Sequence, residues 1–141
     1  MPLTPELWKH LTKLGILGKT VTGHAEFNSA IDKLEEKDHP VFILFRGNSG
    51  KDGKSWCPDC VRAEEVINKV LLDLDSKKFG AFIQVNAGVR EEWKDPQSPF
   101  RTDPRLKLTC IPTIIKWNKK RIEDDKCSKP NVLLQFFGIT S

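Results

Sequence analysis

Trp56-Cys57-Pro58-Asp59-Cys60 is the stretch that decides how this chain is read. Two thiols lie three positions apart behind a tryptophan. After them Val61, Ala63, Val66, Ile67, Val70, Leu71 and Leu74 recur at helical spacing, so the pair opens an amphipathic helix. A thiol at a helix start meets unpaired backbone N–H groups and the positive end of the dipole, which favour the thiolate. Pro58 suits the first turn, where no N–H is needed. Cys60, one turn in, can reach a mixed disulfide formed on Cys57. The spacing therefore predicts a two-step exchange: Cys57 attacks a substrate disulfide, and Cys60 displaces it as the reduced product.

Asp59 pulls both ways. A carboxylate in the first turn stabilises the helix, yet its charge disfavours a neighbouring thiolate. Lys54, in the preceding loop, can offset that charge. Two blander chemistries compete with redox exchange. Half of a zinc site is one, but Cys110 and Cys127 form no second close pair, and His10, His24 and His39 lie upstream without metal spacing. An inert disulfide is the other, but closing so short a loop stabilises little. No metal is expected.

Working outward, Val41-Phe42-Ile43-Leu44-Phe45 is a continuous apolar run, which suits a strand covered on both faces. Phe79 to Val85 reads as a second buried strand, Thr113 to Trp117 as a third, and Lys120 to Asp124 as a fourth paired to it in a hairpin. Helices are predicted over Pro5 to Leu17, with Gly18 as the stop, and over His24 to Lys37. A last helix follows Ser128, the candidate cap, with Pro130 in its first turn. Asn86 to Lys107 is polar with three prolines and reads as a long surface excursion carrying one short helix. The crossover demands a parallel strand pair and the hairpin an antiparallel one, which makes the class α/β with a mixed sheet.

The 141 residues fit one domain with a real core. A net charge of +4 is mild, and the aromatic-basic interleaving of a nucleic-acid binder is absent; Asn118-Lys119-Lys120-Arg121 reads as a solvated hairpin tip. Neither a signal-peptide pattern nor a spanning apolar run is present, so the expected location is the cytoplasm, with no membrane partner. There, cysteine pairs tend to be catalytic or metal-binding. Gly47 to Ser55 invites a phosphate-loop reading, but five residues, not four, separate the first glycine from Gly-Lys-Ser. The loop reads instead as a rim beside Cys57 that presents Lys51 and Lys54 and limits large substrates.

A buried strand, a loop, Trp-Cys-x-x-Cys opening a helix, and a later Ile111-Pro112-Thr113 before a strand resemble thioredoxin. Lys54-Ser55-Trp56-Cys57-Pro58-Asp59-Cys60 with Ala63-Glu64, Trp93-Lys94-Asp95-Pro96 and Phe100-Arg101 resemble more closely the thioredoxin-related proteins of the thioredoxin domain-containing protein 17 family. The similarity covers residues 21–141 as a thioredoxin-like domain and leaves residues 1–20 as a helical extension. The resemblance implies a thioredoxin fold, a redox-active centre at Cys57 and Cys60, and protein-disulfide reductase activity in cell redox homeostasis. It implies Pro112 in cis facing the thiols and Ile111 pairing its backbone with an extended substrate. No bound cofactor is implied; electrons would come from NADPH through thioredoxin reductase. Substrates would be disulfide-containing proteins and small disulfides such as cystine.

The resemblance has one gap. Thioredoxin's buried aspartate before the active site falls at Leu44 here, so either solvent, Asp59 or Glu64 handles the Cys60 proton, with Asp59 favoured, or resolution is slower. Trp56 is expected to contact substrate or shield the thiols, and Trp93 either to close the far side of the groove or to serve as ordinary packing. Cys110 reads as a small buried residue or a regulatory thiol. A different class of function also fits: a redox-sensing binding protein whose dithiol gates partner affinity without turnover.

Overall fold

The computed structural model describes residues 3–34 and 39–139. Its strands are β1 (Leu17–Thr22), β2 (Val41–Arg46), β3 (Ala81–Asn86), β4 (Thr113–Lys116) and β5 (Arg121–Glu123). They form one sheet in the order β1-β3-β2-β4-β5. The first three are parallel; β4 runs antiparallel to β2, and β5 to β4. The helices are α1 (Pro5–Lys13), α2 (Gly23–Leu34), α3 (Pro58–Leu72), α4 (Arg90–Lys94), α5 (Pro99–Thr102) and α6 (Pro130–Phe137), with a 3-10 turn at Asp124–Ser128 before α6.

All six residues of β2 are buried, as its apolar run demands, and their alternation divides the core. Val41, Ile43 and Phe45 join Phe27, Ala30 and Ile31 of α2 on one face. Phe42 and Leu44 join α3, α1 and α6 on the other, through Ile67, Leu71, Leu7, Leu11, Leu133 and Phe137. Trp93 and Phe100, from the excursion between β3 and β4, close the α2 side. His24 ties α2 to that excursion by an Nε2–Asp103 Oδ2 contact of 2.8 Å.

Several sequence expectations change. The first helix stops at Lys13, not Leu17, and Leu17 instead opens β1, a strand the sequence did not announce. β1 is an edge strand with one buried residue, Val21, so it has no apolar run to betray it. Residue 20 lies within this strand, and α1 docks on the domain with Leu7 and Leu11 buried in the core. Thr4 caps α1 and binds Asn68 Oδ1 on α3 through its own N–H at 3.0 Å. The excursion carries two short helices, not one. Ser128 does not cap α6; its hydroxyl donates to the Asp125 carbonyl, and Lys129 is the cap. The expected end of α2 at Lys37 lies outside the described residues.

Candidate active site

Cys57 is the N-cap of α3: its backbone is extended, and its sulfur accepts from the Cys60 N–H at 3.3 Å. Pro58 supplies the first helical residue. The cap thus turns an unsatisfied helix donor onto the sulfur that must carry negative charge. The loop before it is fixed by short bonds. Ser55 Oγ donates to the Gly47 carbonyl at 2.7 Å and accepts from the Cys57 N–H at 3.2 Å. Trp56 lies on Gly47, where a Cβ would come within 2.6 Å of the indole, and its Nε1 donates to the Gly88 carbonyl at 2.9 Å. Arg90 sits over the Trp56 ring at 4.9 Å.

Opposite the thiols, the Ile111–Pro112 peptide bond is cis. The Cys57 sulfur faces the Ile111 carbonyl at 3.7 Å. From behind, the Pro112 carbonyl accepts the Asp124 N–H at 2.8 Å and faces the Cys127 sulfur at 3.7 Å. Cys127 is fully buried, and burial pushes its thiol up to about 12, so it serves as packing behind the proline.

All four cysteines are free thiols. The Cys60 thiol, donating to Cys57, holds the Cys57 pKa down at about 7, and the Cys60 N–H adds to this. Burial and the charges of Glu64 and Asp124 oppose the shift. Cys60 moves the other way: that same hydrogen bond and its own burial push its thiol far above the ordinary cysteine range. One sulfur is prepared as a nucleophile near neutral pH, and its neighbour keeps its proton.

Trp56, Cys57, Cys60, Ile111 and Pro112 therefore converge. Trp93 does not reach a groove: it is 6% exposed, part of the core that backs the dithiol, with the Arg101 guanidinium at 4.0 Å from its ring. The apolar packing that the excursion needs takes the ring inward. Lys54 is exposed on the loop, and Asp59 is half-exposed and ion-paired with Arg62 one turn along the helix. Cys110 is partly exposed, with its sulfur 3.8 Å from Thr113 Oγ1.

Arg46 is a residue that sequence reasoning passed over. It ends β2 on the same face as Phe42 and Leu44 and is 1% exposed. Its Nη2 and Nε donate to the two Glu64 oxygens at 2.9 and 3.2 Å, and its Nη1 donates to Asn86 Oδ1 at 2.8 Å and Ser49 Oγ at 3.0 Å. One guanidinium joins α3, β3 and the loop before Trp56. The available signal was a charge directly abutting a fully apolar strand. Leu44 is buried opposite Gln84, so no carboxylate stands at that strand position.

A mixed five-stranded sheet, a dithiol at a helix start and a cis-proline across from it define a thioredoxin-like domain. A family model described as "Thioredoxin domain-containing protein 17-like, thioredoxin domain" matches residues 20–138. The human thioredoxin domain-containing protein 17 is 34% identical over 84% of this chain and 93% of its own length. The mouse protein is 37% identical over 83% and 92%. The thioredoxin-like protein Clot of Arabidopsis thaliana is 43% identical over 66% and 72%. The chain belongs to the thioredoxin domain-containing protein 17-like family and is a thioredoxin-type redox protein.

Proposed function

We propose that the protein is a cytoplasmic disulfide reductase working by a dithiol cycle. Cys57 attacks a disulfide of a protein or of a small cystine-like molecule. Cys60 then attacks the mixed disulfide and releases the second product thiol. The oxidised pair is returned to the dithiol by electrons from NADPH through thioredoxin reductase.

The observation that carries this reading is the opposed preparation of the two sulfurs. Cys57 accepts from the Cys60 N–H at 3.3 Å and has a pKa near 7, while Cys60 is fully buried and held as a thiol. A pair built only to bind would need no such division. Trp56 beside Cys57, and the Ile111 carbonyl 3.7 Å from its sulfur, offer an aromatic wall and a backbone acceptor to an incoming chain. Among the described residues no helix is long and apolar enough to cross a membrane.

The test is NADPH consumption with thioredoxin reductase and cystine. Many turnovers per protein are expected. Oxidation that stops at one equivalent would sink the reductase and favour the redox-sensing binder.

A further inference from the structure

We propose that Glu64 is the proton acceptor for Cys60 in the resolving step, and that Arg46 is the positioning residue that holds it there. This deepens the reductase reading and rests on it.

Glu64 is buried, at 1% exposure. It follows Cys60 by four positions on α3, so the two side chains share a helix face with Cβ atoms about 5–6 Å apart. Arg46 reaches it from β2, two residues beyond Leu44 on the same strand face, a step of about 7 Å. The carboxylate missing from the strand at Leu44 is thus supplied from the helix. Asp59, favoured from sequence for this proton, is half-exposed and engaged by Arg62.

A bidentate guanidinium uses one lone pair on each Glu64 oxygen and leaves others free for a thiol proton. Arg46 also makes the burial tolerable, because a lone carboxylate there would be neutralised by its own desolvation. The carboxyl is raised above its ordinary range by burial, with Arg46 limiting the rise. Its charge in turn raises both thiols, so it is electrically coupled to each. Among the described residues, the groups whose titration or charge enters are Arg46 from β2, Cys57 at the cap of α3, Cys60 within it, and Asp124 from the 3-10 turn, which acts on Cys57.

In the step, the Cys60 sulfur forms a bond to the Cys57 sulfur of the mixed disulfide, and its proton passes to Glu64. The bond between Cys57 and the substrate sulfur breaks. The substrate leaves as a thiolate with that electron pair and takes a proton from solvent. The negative charge thus passes from the carboxylate, by way of the Cys60 sulfur, to the departing substrate sulfur, and Glu64 later loses its proton to solvent.

The test uses 5,5′-dithiobis(2-nitrobenzoate) on the reduced full chain, followed by stopped-flow absorbance between about pH 5 and about pH 9. Attack by Cys57 releases one nitrothiobenzoate and closure by Cys60 a second. In Glu64→Gln the second release should slow by about 10²-fold near neutrality and become steeply hydroxide-dependent, while the first is unchanged or faster. Glu64→Asp should recover part of the loss. Wild-type closure rates and pH profile in Glu64→Gln would overturn the proposal, as would equal slowing of both releases. If that variant does not fold by circular dichroism, Arg46→Gln with Glu64→Gln removes both charges and keeps hydrogen-bonding groups. Slow closure is expected there too, and wild-type closure would again overturn the idea. Because the assay needs neither NADPH nor thioredoxin reductase, a protein that closes its ring normally but does not turn over would sink the reductase reading alone.

Discussion

The front and the back of one helical turn are built in opposite ways. At the front, Cys57 meets polar backbone: the Cys60 N–H at 3.3 Å, the Ile111 carbonyl at 3.7 Å and a loop pinned through Ser55 and Trp56. At the back, Cys60 is fully buried above a sealed Arg46–Glu64 ion pair. A symmetric spacing of two thiols therefore becomes an asymmetric pair, one sulfur near pKa 7 and the other held protonated. It is the surroundings, not the Cys-x-x-Cys spacing, that divide the labour. Substitutions on the two sides should accordingly fail in different ways.

The largest effects should come from the sulfurs themselves. Cys57→Ser should lose disulfide reduction by on the order of 10³-fold or more, with no mixed disulfide formed. Cys60→Ser should attack normally and then stall, holding partners on Cys57 that mass spectrometry can identify. Trapping on Cys60 in the Cys57 variant at a similar rate would break the front-and-back division.

The ion pair is the next test, and it concerns stability. Arg46→Met leaves a buried carboxylate without its cation and should cost about 3–5 kcal/mol in urea unfolding. Arg46→Met with Glu64→Leu removes both charges and should unfold within about 1 kcal/mol of the wild type, because a well-packed apolar pair replaces the ion pair at little cost. An equal loss in both would mean that the Asn86 and Ser49 contacts of Arg46, not its charge, hold the back of the site.

The front can be titrated directly. With Cys57 near 7, its alkylation by iodoacetamide should be half-maximal near pH 7 and fall about tenfold for each pH unit well below that. Below the pKa the thiol dominates and the nucleophile is lost; above it the rate levels off. A midpoint at the ordinary cysteine value of about 8.5 would show that the cap and the Cys60 thiol do not prepare the sulfur.

The same division governs what was legible in the sequence. The front is local: Cys57, Pro58 and Cys60 belong to one stretch, so capping chemistry could be read from residue types and spacing. The resemblance supplied Ile111 and Pro112, and their cis bond is present. The buried strands were legible because β2 and β3 are apolar almost throughout. The back is nonlocal. Arg46 and Glu64 lie 18 residues apart and meet only once the sheet places β2 against α3. A charge after an apolar run reads as a strand end, which hid Arg46. β1 escaped for the reverse reason: an edge strand that buries only Val21 and leaves Leu17 at 47% exposure has no periodic signal. Trp93 could be read either as a groove wall or as packing, because an aromatic ring in a polar segment serves both, and the segment needs that ring to attach itself to the core.

The smallest effect expected is at Asp59, and it discriminates finely between the two sides. From spacing alone its charge should hold the Cys57 pKa up. Its carboxylate is half-exposed and ion-paired with Arg62, so water and the guanidinium screen most of that charge. Asp59→Asn should lower the alkylation midpoint by no more than about a few tenths of a pH unit. Glu64→Gln removes a buried carboxylate whose charge acts on both sulfurs, and should lower it further. If Asp59→Asn moves the midpoint more than Glu64→Gln, control of the nucleophile lies at the exposed front, and the buried pair serves closure alone. If it does not move at all, Asp59 serves the helix terminus and has no part in tuning the thiol.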